Sequence, residues 1–244
     1  MSRPVAIITG TSSGIGRAIA LRLLSEGWSV HGICRRHVAF EGASYFHTQA
    51  DLTDTAAVMQ AVAHIRDQHS SIQALINNAG IGYFAPHEEL TAHQIETMIR
   101  TNLLAPLLLT KLLLRDLKHA RGHLINISSF SAHESSSFGA AYAATKSGLR
   151  HFTGSIFEEA RKSGLRVCTI SPDITRSHFH DHASFCPEDD TLAAIEPECV
   201  ANSVATLLLQ REGTVVTEIV LRPQRLLLKK RPSAGSQRNS TSQS

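Results

Sequence analysis

The sequence predicts one α/β domain of the doubly wound type, a parallel seven-stranded sheet with helices on both faces. Three observations predict it. Short β-branched runs alternate with longer segments of helical period. A glycine-rich turn follows the first run directly and opens a helix. Neither an internal repeat nor linker composition interrupts the alternation before the C-terminal tail.

In order, the first strand is expected at Val5–Thr9 and a helix near Ile15–Glu26, stopped by Gly27, because glycine takes left-handed geometry at little cost. Ser29–Cys34 and Ser44–Thr48 read as the next strands, and Asp54–His69 as a helix. The strand Ala74–Asn77 precedes a long helical stretch from Ala92 to Lys118. Gly122–Ser128, the helix Ala140–Ser163, a stop at Gly164 and the strand Leu165–Ile170 follow. A helix at Pro197–Gln210 and a strand at Val215–Leu221 complete the set. Residues 1–223 form the expected domain. Within it, the polar segment of about 174–196 is expected to act as a lid, beyond the carboxyl end of the sixth strand, where such sheets bind ligands.

Composition narrows the classes. The chain has 42% apolar and 18% charged residues, which excludes disorder throughout. Its net charge of +3 resides in the C-terminal segment, where Arg222, Arg225, Lys229, Lys230, Arg231 and Arg238 meet no acid. Residues 224–244 therefore read as a basic tail without fixed structure, and nucleic acid is not an expected partner. The apolar run Leu103 to Leu114 is short for a membrane span, which needs about 20 residues, and no export signal is visible. Cys34, Cys168, Cys186 and Cys199 lack paired metal spacing and read as reduced thiols in a cytoplasmic protein. His178, His180 and His182 alternate in the lid with no fourth ligand at suitable spacing, so no metal is expected.

The first strand runs into Thr9-Gly10-Thr11-Ser12-Ser13-Gly14-Ile15-Gly16. Glycines there let backbone amides approach a pyrophosphate at the positive end of a helix, the Rossmann-type solution for a dinucleotide. A dinucleotide site normally ends its second strand in an acid that holds the ribose hydroxyls. Here the strand ends Cys34-Arg35-Arg36, and a planar guanidinium suits a 2′-phosphate, so NADP(H) is the expected cofactor, with Arg35 as first contact and Arg36 as second. Tyr142 and Lys146 stand four apart and share one helix face. A nearby ammonium favours the anion of a phenol, which otherwise ionises near pH 10, and so suits it to proton transfer. Ser129 ends the fifth strand thirteen residues earlier, at the same edge of the sheet.

These motifs, with Asn77-Asn78-Ala79-Gly80 between them, occur in the order and spacing of the short-chain dehydrogenase/reductase family, which the chain resembles from about Val5 to Pro223. The resemblance implies an NADP(H)-dependent carbonyl reductase, or alcohol dehydrogenase in reverse. Tyr142 would then be the general acid, Lys146 its electrostatic partner and a ribose ligand, Ser129 the donor to the substrate oxygen, and Asn102 the holder of a relay water. It also implies cofactor contacts at Gly10, Ser12, Ser13, Gly14, Ile15, Gly16, Asp51, Leu52, Asn78, Ala79, Gly80 and Ile174. By family analogy Tyr83, Phe84, His133, Phe138 and Phe179 stand near a pocket for a small carbonyl or alcohol substrate. Family members pair through the helices bearing Asn102 and Tyr142, so a homodimer or homotetramer is expected. One departure stands out: Ser171-Pro172-Asp173-Ile174 has aspartate where the family usually has glycine. It is the best support for the alternative, a non-catalytic NADP(H)-binding regulatory protein of the same fold.

Overall fold

The computed structural model describes residues 3–40, 44–177, 179 and 185–230. Seven parallel strands form the central sheet: β1 (Val5–Thr9), β2 (Ser29–Cys34), β3 (Tyr45–Gln49), β4 (Ala74–Asn77), β5 (His123–Ile127), β6 (Arg166–Pro172) and, after a short β7 (Phe185–Pro187), β8 (Glu218–Leu221). Their order is β3-β2-β1-β4-β5-β6-β8. The direction of winding reverses between β1 and β4, and this switch point opens the crevice that holds the site.

Both faces of the sheet are buried, which is why its strands read as continuous apolar runs. On one face Ala6, Ile8, Ile76, Ile125 and Ile170 pack with Ile19 and Leu23 of α1 (Gly14–Ser25) and Val200 and Val204 of α6 (Pro197–Leu208). On the other, Ile7, Ile33, Leu75, Leu124 and Val167 meet α2 (Thr55–Gln68), α4 (Ala105–His119) and α5 (Ala140–Ala160). Each fully buried isoleucine or leucine contributes about 1.5–3 kcal/mol. The expected helix stops hold: Gly27 and Gly164 take φ of 84° and 83°.

The expected helix Ala92–Lys118 is not uniform. It comprises α3 (Ala92–Ile99), a π-turn at Arg100–Leu104, and α4. Pro106 explains the turn, since it has no N–H for the carbonyl of Asn102 and its ring crowds that position. The stretch from Ala92 to His119 is long and apolar enough to cross a membrane, which the shorter run Leu103 to Leu114 understated. Here it lays Leu109, Leu113 and Leu117 on the sheet.

The start of the expected tail is structured. Leu228–Lys230 forms β9, antiparallel to β7 in the expected lid. The cations that suggested a solvated end meet acids of the lid: Lys229 Nζ lies 2.6 Å from Asp189 Oδ2, and Arg225 Nη1 lies 3.3 Å from Asp190 Oδ2. The tail from 231 onward, and His178, His180, Asp181 and His182 of the lid, lie outside the described residues.

Candidate active site

The turn after β1 is built by close approach. Gly10 and Gly14 take φ of 77° and 53°. A β-carbon at Gly16 would fall 2.3 Å from the Gly10 carbonyl oxygen and 2.4 Å from Asn78 Nδ2, so this glycine is a steric requirement. The two glycine-bearing motifs interlock there: Thr9 Oγ1 accepts the N–H groups of Asn78 and Ala79 at 2.9 Å each, and Asn78 Nδ2 donates to the Thr9 carbonyl. Ser13, at the start of α1, makes no side-chain cap, whereas Asp54 caps α2 and Thr91 caps α3. Backbone amides at the head of α1 thus face the crevice without a side-chain acceptor, a cradle that fits a pyrophosphate.

At the end of β2 the two arginines separate. Arg36 Nη2 reaches Ser12 Oγ at 3.2 Å and Ser13 Oγ at 3.5 Å, so its guanidinium hangs over the turn. Arg35 is exposed on the side of Asp51. Hydrogen bonding from the Thr53 backbone, aided by the Thr53 hydroxyl and the charge of Arg35, holds the Asp51 carboxyl below its usual range against the opposing effect of burial. Of the two, Arg36 is the one that stands over the turn. Leu52 packs on the core beneath. Sequence reasoning missed Tyr45, whose hydroxyl hydrogen-bonds Thr11 Oγ1 at 2.8 Å and would meet a β-carbon at Gly32 at 2.2 Å. The glycine inside β2 was the available signal, because strand glycines mark close approach.

The expected catalytic side chains converge at the carboxyl ends of β4 and β5. Tyr142 is buried, and its phenol hydrogen-bonds the Ser129 side chain. Ser129 also accepts from Ser131 N at 3.2 Å, which fixes its rotamer. One helical turn on, the buried Lys146 donates from Nζ to the Ile127 carbonyl at 2.9 Å and lies 5.9 Å from the Tyr142 ring centroid. Asn102, turned inward by the π-turn and fully buried, donates from Nδ2 to the Ile81 carbonyl at 2.8 Å and to Thr145 Oγ1 at 3.1 Å. It also accepts Ile81 N–H at 2.8 Å. Gly80 lies between: a β-carbon there would stand 3.4 Å from both Asn102 Oδ1 and Lys146 Nζ.

Burial pushes the Tyr142 phenol up to about 12, opposed by the Ser129 side chain. Burial likewise pushes the Lys146 ammonium down to about 8. Burial sets both directions, since each group loses the hydration that favours its charged form. Around neutral pH the phenol is protonated, the form needed to give a proton.

The aspartate departure is absorbed locally. Asp173 is not among the positive-φ residues, and its Oδ1 accepts Ile174 N–H at 2.8 Å while Oδ2 lies 3.3 Å from Arg222 Nε. Ile174 is buried, with its carbonyl taken by Ile195 N. Of the expected pocket residues, Phe84 and Phe179 contact Tyr142, with ring centroids at 5.3 and 5.6 Å. His133 instead stacks on Phe130 beside Glu218, and Tyr83 N–H meets Met98 Sδ at 3.5 Å. Among the described residues no group of three metal-ligating side chains occurs.

Comparisons with known proteins agree with this geometry. The profile of the family described as short chain dehydrogenase matches residues 4–184. Serine 3-dehydrogenase of Rhizobium radiobacter is 36% identical over 180 residues, covering 71% of this chain and 72% of that protein. Sepiapterin reductase of Chlorobaculum tepidum is 30% identical, covering 90% and 96%. Among solved structures, a metagenomic short-chain oxidoreductase in complex with NADP superposes with a TM-score of 0.76 at 31% identity, covering 90% of this chain and 96% of that one. An alcohol dehydrogenase from the archaeon Thermococcus sibiricus, complexed with 5-hydroxy-NADP, gives 0.83 at 25% identity, covering 91% and 97%. With the glycine turn, the interlocked Asn78 motif and the Ser129, Tyr142 and Lys146 cluster already in place, the match settles the family: this chain is a short-chain dehydrogenase.

Proposed function

We propose that the protein is an NADP(H)-dependent oxidoreductase that interconverts a small carbonyl compound and its alcohol. One observation carries the reading: the buried Tyr142 phenol faces the Ser129 side chain at the sheet edge, one helical turn from the buried Lys146, and burial favours its protonated form. NADP(H) fits the residues present: the steric cradle of Gly10 and Gly16, the open head of α1, and Arg36 above Ser12 and Ser13, whose guanidinium would suit a 2′-phosphate. The structures of relatives with NADP support the same choice. When bound, the cofactor supplies the hydride that the carbonyl carbon accepts, and takes it back in the reverse direction.

The chain's own groups do the rest. Ser129 offers a hydrogen bond to the carbonyl oxygen, and Tyr142 gives that oxygen its proton during reduction. Lys146 places positive charge beside the phenol as it loses the proton, and Asn102 holds the Ile81 backbone and Thr145 at the back of the site. Asp173 is no obstacle, since its carboxylate is engaged with Ile174 and Arg222. That removes the best support for a non-catalytic regulatory protein. Half-buried Leu103, Leu104, Leu107, Leu108 and Leu112 on the π-turn and α4 support pairing of two or four copies through this face. The four cysteines are free thiols, which supports a cytoplasmic setting.

Fluorescence titration with NADPH and NADH tests the reading. NADPH should bind tighter by tenfold or more, and Arg36→Ala should erase most of that difference, about 1.4 kcal/mol for each tenfold. Tighter binding of NADH would overturn the cofactor assignment.

A further inference from the structure

Phe84, Tyr142 and Phe179 are in mutual ring contact, with centroids 5.3 Å apart for Phe84 and Tyr142, 5.6 Å for Tyr142 and Phe179, and 6.4 Å for Phe84 and Phe179. Such spacings are those of edge and offset ring contacts. Phe84 is seated by two glycines: a β-carbon at Gly82 would fall 2.6 Å from its Cε2, and one at Gly139 would fall 3.4 Å from its Cδ1. Gly82 serves Phe179 as well, at 3.0 Å from its Cζ. The wall is thus fixed where it backs onto the main chain, and Phe179 reaches it from the segment after β6.

A third ring lies on the loop before α5. Phe138 is 63% exposed and sits at φ of 60°, a left-handed conformation that costs a non-glycine residue roughly 1–2 kcal/mol. Its carbonyl accepts Ala85 N–H at 2.9 Å, which ties the loop of Phe84 to the loop that leads into α5. Backbone strain of this kind persists where the surroundings over-determine it, as at binding sites. Among the described residues, charged side chains nearby are paired: Asp173 with Arg222, and Glu218 of β8 with Arg150 of α5 through two hydrogen bonds. The ammonium beside the phenol is bound to the Ile127 carbonyl.

We infer that Phe84 and Phe179 select a carbonyl substrate that carries a neutral aromatic ring next to the reacting carbon, with Phe138 guiding it in, rather than an amino or hydroxy acid. This deepens the proposed function and rests on it. The aryl group takes the place of ring contacts that Phe84 and Phe179 make with each other, while its carbonyl oxygen meets Tyr142 and Ser129. The reaction balances: the carbonyl carbon gains a C–H bond from the hydride of NADPH, the oxygen gains the Tyr142 proton, and the ketone or aldehyde is reduced as NADPH becomes NADP+. A substrate bearing a carboxylate would have to lose its hydration beside the phenylalanine rings, at a cost of several kcal/mol.

The test measures kcat/KM by loss of NADPH with benzaldehyde, acetophenone and propanal, and by NADP+ reduction with L-serine. The intact protein should favour benzaldehyde over propanal by about tenfold or more, and L-serine should be the poorest of the four. Phe84→Ala and Phe179→Ala should each lower the benzaldehyde-to-propanal ratio by about tenfold. Phe84→Leu keeps the volume of the wall without the ring and should lower the ratio too, which covers the case in which the alanine variant fails to fold. Preference for L-serine or propanal, or a ratio unmoved in all folded variants, overturns this inference and leaves the proposed function standing. Loss of no NADPH with any carbonyl compound, with nucleotide bound, sinks both.

Discussion

Lys146 Nζ donates to the Ile127 carbonyl at 2.9 Å, so the ammonium is fixed to the end of β5 and stands 5.9 Å from the centre of the Tyr142 ring. Its position is set by the sheet, and its charge by burial, which brings the ammonium down to about 8. Below that value Lys146 is charged and Tyr142 is protonated. Carbonyl reduction needs both, so kcat/KM with NADPH should be level below about pH 7 and fall as pH rises through about 8. Steady-state rates across that range check the sign; a level profile to about pH 10 would contradict it.

Two buried histidines make stability sensitive to acid. His31 lies with Nδ1 2.9 Å from His69 Nε2 and Nε2 2.7 Å from Thr48 Oγ1, and burial, then His69, His64 and His47, lowers it to about 3. His123 is lowered to about 3 by burial and then by Arg166. For a base whose folded pKa is depressed, the unfolded chain binds more protons between the two values. Stability is therefore full above about pH 6.5 and is lost as pH falls toward 3, at about 1.4 kcal/mol per pH unit for each histidine. Urea midpoints between pH 7 and pH 5 should drop in the intact protein, and the drop should shrink in His31→Asn and His123→Asn. An unchanged slope in both variants would contradict the assignment.

Asp173 occupies a position that tolerates it, so glycine there should bring no gain. Asp173→Gly is expected to leave the NADPH dissociation constant within about threefold while costing roughly 0.5–1.5 kcal/mol of stability, through the loss of the Arg222 pair and the Ile174 N–H acceptor. A variant that bound NADPH more than about tenfold tighter would show that the aspartate obstructs the cofactor.

Much of this was legible in the chain itself, for physical reasons. Apolar runs such as Val5 to Thr9 mark strands covered on both faces, and Gly10, Gly14 and Gly16 are spaced by a turn that needs positive φ at the first two and leaves no room for a β-carbon at the third. Tyr142 and Lys146 share a helix face whatever surrounds them. Less legible were features set by long-range packing. The π-turn at Arg100–Leu104 hides inside an apolar run, although Pro106 was a clue. The pairing of β7 with β9 joins segments some forty residues apart, as does the ion pair of Asp189 with Lys229 beside it. Arg35 and Arg36 are chemically alike, and only the twist of the strand end decides which one reaches Ser12. The raised value of Tyr142 depends on burial, which residue spacing does not report.

The central claim is that Tyr142 delivers the proton to a substrate oxygen beside bound NADPH. Tyr142→Phe removes one oxygen atom from a buried ring and leaves the helix and the cradle intact. The direct measurement is single-turnover NADPH oxidation by this variant beside its NADPH dissociation constant. The account predicts a rate loss of about 10²–10⁴-fold with the dissociation constant within about threefold. A variant that keeps most of the rate would contradict it.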